Sequence, residues 1–278
     1  MLDKIKILTL KALMHDEQLM YGLVLKGGNA LQLVYDITDR ASMDIDFSIE
    51  GDFSDLDYNR INGALDALLN DEFHKENLIA FDIRFKEKPK TNKVKEWKGY
   101  NIEFKIAHKE NWYDEDLDKT RREAIKILGQ STKFSIDISS FEYIQSAKKH
   151  DLDGTVLMVY TPEMIVIEKL RALCQSIPEY QKIVSTARTK GRARDFYDIW
   201  NICNQFSMDL STEENKNLMK EIFQAKRVPI EFLGLLNEYH DLQKENWSSV
   251  EDTLGSENLG FDFYFEYVMD LIERIKIL

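Results

Sequence analysis

Apolar residues recur at helical spacing through residues 2–21 (Ile5, Leu8, Ala12, Leu13, then Leu19 and Met20), which predicts one or two opening helices. A further helix is predicted after Gly27 and Gly28, through Ala30, Leu31, Leu33 and Val34. The period then changes. Met43, Ile45, Phe47 and Ile49 alternate with Asp44, Asp46 and Ser48, the period of two expected for a strand with one polar face. Residues 79–85, 100–107 and 134–139 read as three more strands, with a helix over 57–69. After 156–160, Thr161 and Pro162 place a capping side chain ahead of proline at the first helical position. Beyond it the pattern is mostly helical: 162–175, 193–206, 212–224, 229–242 and 262–276. The expected class is α+β. A small mixed sheet with helices would occupy 1–158, and a helical domain over 159–278 would complete the cleft.

Composition narrows this picture. With 44% hydrophobic residues in 278 the chain can bury a sizeable core, and four prolines and twelve glycines leave no obvious linker or repeat. Cys174 and Cys203 lie far apart, in no CxxC or Cys/His array, so neither a disulfide framework nor a zinc site is expected, and a reducing cytoplasm fits. The opening MLDKIKILTLKALMHDE mixes charge with apolar residues and reads as a mature helix, and no apolar run reaches membrane-spanning length. A net charge of −12 repels polyanions at long range, against general nucleic-acid binding. Two basic stretches locally oppose it: KEKPKTNKVKEWK at 86–98, read as a solvated loop, and QKIVSTARTKGRAR at 181–194, which contains no acid.

The chemistry centres on "RASMDIDF". Asp44 and Asp46, two apart on a strand, share a face about 6.5–7 Å apart along it. Two readings stand for such a pair: an edge strand facing water, or carboxylates whose repulsion a hard divalent cation relieves. "KFSIDIS" puts Asp137 between Ile136 and Ile138, so that it faces away from its apolar neighbours, as a third carboxylate of the kind two-metal phosphoryl transfer uses. Glu103 in "YNIEFKI" is the rival, and Asp137 is preferred because its shorter side chain holds a metal more rigidly. Gly27 and Gly28 let backbone N–H groups approach a triphosphate, with Lys26 adding charge, although no GxxxxGK[ST] loop occurs. The five histidines show no ligand spacing, and Trp97, Trp112, Trp200 and Trp247 read as core or lid residues.

These motifs resemble the AbiEii toxin-type nucleotidyltransferases, related to the MenT toxins and to the DNA polymerase β-type superfamily. The resemblance rests on Lys26-Gly27-Gly28 with Ala30-Leu31, and on Arg40, Ser42, Asp44, Asp46 and Phe47. It also rests on Lys169 in "PEMIVIEKLRAL" and on Asp195 and Asp198 in "RARDFYDIW". It spans residues 23–203, with its four motifs in the family's order. Asn29 departs from the small hydroxyl residue more usual after the glycines.

The resemblance implies a Mg²⁺-dependent nucleotidyltransferase, with Mn²⁺ as a substitute metal. It would move NMP from an NTP to an acceptor hydroxyl at the tRNA 3′ end, as the toxin of a type IV toxin–antitoxin or abortive-infection system with a separately encoded antitoxin. Asp44, Asp46 and Asp137 would bind the metal. Lys26, Gly27, Gly28, Asn29, Arg40 and Ser42 would hold the nucleotide. Lys169 and Asp195 would either serve the reaction or lock two helices as a buried ion pair. Lys182, Arg188, Lys190, Arg192 and Arg194 would flank the entry of a polyanionic acceptor. Two other functions stay open: nucleotidylation of a small molecule such as an aminoglycoside or of a protein side chain, and a non-catalytic nucleotide-binding module.

Overall fold

In chain order the first half contains β1 (Val24–Lys26), β2 (Ile45–Ser48), β3 (Leu78–Lys88), β4 (Gly99–His108), β5 (Lys133–Ser139), β6 (Lys148–Leu152) and β7 (Thr155–Val159). They join in one mixed sheet, in the order β3-β4-β5-β2-β1-β7-β6. β2 runs parallel to β5 and β1 parallel to β7, and every other pairing is antiparallel. The computed structural model describes residues 1–37, 44–89, 94–127, 131–254 and 258–275. They fall into two units: Met1–Tyr35, Ala41–Ile144 and Lys148–Val159 in one, and Asp36–Arg40, Gln145–Ala147 and Tyr160–Leu278 in the other.

Alternation divides the sheet of the first unit into two faces. Ile45 and Phe47 of β2 lie opposite Ile136 and Ile138 of β5, which lie opposite Ile102 and Tyr100 of β4, all almost fully buried. Each such large apolar side chain contributes about 1.5–3 kcal/mol. The helices of this unit are α1 (Leu2–Met14), α2 (Glu17–Gly22), α3 (Gly27–Leu33), α4 (Asp55–Phe73) and α5 (Leu117–Glu123). Ser54 starts α4 with a capping box closed by Asp57. Ile61, Leu65, Leu69 and Phe73, four apart, then form its buried stripe. Asn70 of α4 donates to the Ala80 carbonyl and accepts from the Ala80 N–H, tying the helix to β3.

The helical unit contains α6 (Pro162–Gln175), α7 (Pro178–Gln181), α8 (Ala193–Gln205), α9 (Glu213–Ala225), α10 (His240–Lys244), α11 (Trp247–Glu251) and α12 (Phe261–Ile275). Thr161 caps α6 by accepting from the Met164 N–H. Phe196 of α8 packs against Phe261 and Phe265 of α12. No helix among the described residues is long and apolar enough to cross a membrane.

Three features depart from the periodicity reading. β1 is too short to show a period, and β6 is a mostly exposed edge strand with no apolar alternation. The β6–β7 hairpin turns at Asp153-Gly154, both with positive φ (50° and 81°), as a two-residue turn of this kind requires. The helix expected over 229–242 is a 3₁₀ segment (Ile230–Tyr239) before α10, with Leu233 and Leu236 buried at a spacing of three.

Candidate active site

The parallel pairing of β2 with β5 sets Asp46 directly opposite Asp137. On the other side Asp46 pairs with Lys26 of β1, while Asp137 pairs with Asn101 of β4, which pairs with Lys86 of β3. Residues paired across strands share a face, so Lys26, Asp46, Asp137, Asn101 and Lys86 form one row on the polar side of the sheet. The two carboxylates stand side by side on neighbouring strands, whose backbones are roughly 4.8 Å apart. Asp44, just before β2, is exposed to solvent. Crowding by neighbouring atoms and the Asp137 charge raise its pKa above the ordinary carboxylate value, while Lys88 partly offsets the rise.

Two side chains orient Asp137. The Asn101 amide, 8% exposed, donates to Asp137 Oδ1 at 2.9 Å and to Ser135 Oγ at 2.8 Å. Lys88 Nζ lies 3.1 and 3.3 Å from the two Asp137 carboxylate oxygens. Glu103 falls two pairs further along β4, opposite Ser135 and Arg84, and Lys86 Nζ holds it at 2.8 Å. The geometry therefore favours Asp137 over Glu103 as the partner of Asp46.

Gly27 begins α3 against this pair. Its φ is +67°, and a Cβ there would lie 3.0 Å from Asp46 Oδ2. A side chain is thus disfavoured twice, by the left-handed backbone and by the carboxylate. Gly28 follows in the first turn of α3. Asn29, expected to grip the nucleotide, is instead fully buried, and its amide donates to the Asp44 carbonyl. It fixes the backbone where the chain enters β2. Lys26 is also buried, 3.7 Å from Glu142 Oε1. Arg40 and Ser42 lie outside the described residues.

No trio of His, Cys, Asp or Glu side chains among the described residues converges as a ready metal cage. The donor set does suit a hard divalent cation: the carboxylates of Asp44, Asp46 and Asp137 supply only oxygen. A cation already sits against it, since the Lys88 ammonium contacts both Asp137 oxygens.

The helical unit carries a second polar cluster. Lys169 of α6 donates to Asp195 Oδ1 at 2.9 Å and to Asp198 Oδ2 at 2.6 Å. Arg192 pairs with Asp195 and Arg194 with Asp198, giving the alternating chain Arg192–Asp195–Lys169–Asp198–Arg194. Burial alone would lower the Lys169 pKa, but the two aspartates outweigh it and hold the ammonium above the ordinary lysine value. Burial likewise opposes the Asp195 charge, and Arg192 and Lys169 reverse that and hold its carboxyl below the usual range. Asp195 is buried, as are Phe196, Ile199 and Cys203 of the same helix, whereas Trp200 is partly exposed.

The model of the family described as nucleotidyl transferase AbiEii toxin, type IV TA system, matches residues 9–267. The chain belongs to this family. It is thus a nucleotidyltransferase of toxin type, and membership of a type IV system implies an NTP substrate and an antitoxin partner. Among solved structures it is similar to JHP933 from Helicobacter pylori, with a TM-score of 0.53 at 16% identity, covering 99% of this chain and 90% of that one. This likeness shows the fold. An antigenic nucleotidyltransferase-like protein from Paracoccidioides brasiliensis also matches, with a TM-score of 0.36 at 14% identity, over 83% of this chain and 91% of that one. No functionally curated protein matches.

Two residues of the candidate site escaped the sequence reading. Lys88 belongs to the basic stretch read as a solvated loop, yet β3 extends far enough to deliver it to Asp137. Asn101 lay inside a predicted strand, but only the β4–β5 register shows which carboxylate it faces. The second basic stretch divides. Arg192 and Arg194 are neutralised by the aspartates of α8, whereas Lys182, Arg188 and Lys190 are exposed and form no ion pair among the described residues.

Proposed function

We propose that the protein is a Mg²⁺-dependent toxin that transfers NMP from an NTP to the 3′-terminal hydroxyl of tRNA. The observation that carries this reading is the register of Asp46 with Asp137 on the polar face, with Gly27 pressed against Asp46. Asp44, Asp46 and Asp137 would hold Mg²⁺ or Mn²⁺, which supplies Lewis-acid stabilisation of charge on the phosphoryl oxygens. The N–H groups of Gly27 and Gly28 would approach the triphosphate, and Arg40 and Ser42 would add donors to it. Asn101 keeps Asp137 oriented toward the acceptor hydroxyl, whose proton Asp137 takes as the oxygen attacks the α-phosphorus. The bond to the bridging oxygen breaks, and pyrophosphate leaves.

A macromolecular acceptor is supported by the exposed cations Lys182, Arg188 and Lys190, which form no ion pair among the described residues of a chain whose net charge is −12. The same net charge favours a second reading, a small cationic acceptor of aminoglycoside type. Incubation with labelled NTPs and either total tRNA or a panel of small acceptors separates them. Label entering tRNA, and its loss in Asp46→Asn with the fold intact, is the expected result. Undiminished transfer by Asp46→Asn would reject the metal assignment, and label entering only small acceptors would reject tRNA.

A further inference from the structure

The polar face of the sheet continues past the carboxylates onto β3, β4 and β5, and there its character changes. Two pairs along from Asp137, Arg84 lies opposite Glu103, which lies opposite Ser135; two pairs further, Lys105 lies opposite Lys133. Five cations therefore occupy this face beside the acid row: Arg84, Lys86, Lys88, Lys105 and Lys133. The acids among them are already engaged. Lys86 holds Glu103 at 2.8 Å, and Lys105 and Arg121 both hold Asp82, at 3.0 and 2.8 Å. The Glu103 carboxyl sits below its ordinary pKa, chiefly through the Lys86 hydrogen bond, with Lys133 and Arg84 adding to it. The side chains of Arg84 and Lys133 are left as surplus charge, exposed and without an ion-pair or hydrogen-bond partner among the described residues.

The shape of this face suits a strand of phosphates. Arg84, Lys86 and Lys88 alternate along the edge strand, about 6.5–7 Å apart, and point the same way. A shallow depression of about 50 Å³ opens between Asp82, Arg84, Glu103, Lys105 and Lys133. The far end of the face is closed by a small apolar cluster of Phe81, Ala107, Ala124 and Trp112. What remains open is a short cationic track. Its near end is the Asp46–Asp137 pair, and Lys133 lies four residues from Asp137 on β5, roughly 13 Å away. The last few nucleotides of a single strand span such a stretch.

We infer that this open face of β3, β4 and β5 seats the phosphate backbone of the acceptor RNA, with Arg84 and Lys133 gripping phosphates just upstream of the reacting 3′ hydroxyl. The inference rests on the reading of an RNA acceptor given above. Charge complementarity selects the partner, because a polyanion is the ligand that gains from surplus cations on an acidic protein.

The test is the double reversal Arg84→Glu with Lys133→Glu in the full chain. Both side chains are exposed, so the fold is expected to survive, and thermal melting followed by circular dichroism checks it. Affinity for a short fluorescein-labelled single-stranded RNA is measured by anisotropy over a range of salt concentrations, transfer to total tRNA in parallel, and NTP binding by calorimetry. Loss of two phosphate contacts should flatten the slope of log K against log salt by about 1.4. The KM for tRNA should rise at least about tenfold, with NTP affinity unchanged. Wild-type transfer to tRNA together with an unaltered slope and KM in the variant would overturn this inference alone. A wild-type protein that neither binds RNA nor labels it would overturn the inference and the RNA acceptor together.

Discussion

Replacing Lys169 with methionine tests the polar chain inside the helical unit. Methionine keeps the aliphatic stem packed on α6 and removes only the ammonium. Two charge-assisted hydrogen bonds are lost, at 2.9 Å to Asp195 and 2.6 Å to Asp198, each ordinarily contributing about 1.5–3 kcal/mol. Breaking a buried pair costs about 3–5 kcal/mol because the surviving charge is stranded. Here Arg192 and Arg194 still hold the outer oxygen of each aspartate, so neither acid is orphaned and the low end of that range, about 3 kcal/mol, is expected. Because the folded-state pKa of Lys169 is raised, its contribution is complete below the unfolded value of about 10.4 and is lost only as pH rises through the folded one. It is therefore fully present at neutral pH. Urea denaturation at pH 7, followed by tryptophan fluorescence, should show the midpoint falling by about 1.5 M for a slope of roughly 2 kcal/mol per molar. A fall of less than about 0.5 M, accompanied by loss of transfer, would refute the reasoning and assign Lys169 to the reaction.

Gly27→Ala combines a left-handed backbone with a Cβ 3.0 Å from Asp46 Oδ2, so Asp46 must shift by a few tenths of an ångström. Pyrophosphate release should fall about tenfold with under about 2 kcal/mol lost in stability, and full activity would show that the carboxylate position is not critical. Asn101→Ala removes the donor that orients Asp137, and kcat should fall about tenfold while the KM for NTP stays within about twofold, a split that initial-rate kinetics measures. Asp195, whose carboxyl is depressed, contributes stability present above its unfolded pKa of about 3.9 and lost as pH falls through the folded value. Asp195→Asn should therefore be less stable at pH 7 and show a shallower loss on acidification between about pH 4 and pH 2, read from melting temperatures.

The carboxylate pair shows how far a sequence carries such a site. That Asp44 and Asp46 share one face follows from the period of two, which is a property of the single strand. That Asp46 meets Asp137 does not, because a shift of one residue in the β2–β5 pairing would turn one of them to the opposite face. Lys88 is the converse case. Local composition marks it as solvated, and only the length of β3 and the β4 register bring it to Asp137. Asn29 differs again: its polarity and place after the glycines point toward a ligand, while the packing of α3 directs its amide to the Asp44 carbonyl.

The sequence by itself determined the α+β class, the long strands and helices, and the identity of the acids, because period, capping residues and motif order are local properties of the chain. The tertiary structure decided which charges meet. It paired Asp46 with Asp137, withdrew Lys26 and Asn29 from the surface, and enclosed Lys169 between two aspartates. It also left Arg84 and Lys133 as surplus on the open sheet face. The reason is physical: a side chain's electrostatic partner is set by strand register and helix packing between residues far apart in sequence, and no local pattern encodes those distances.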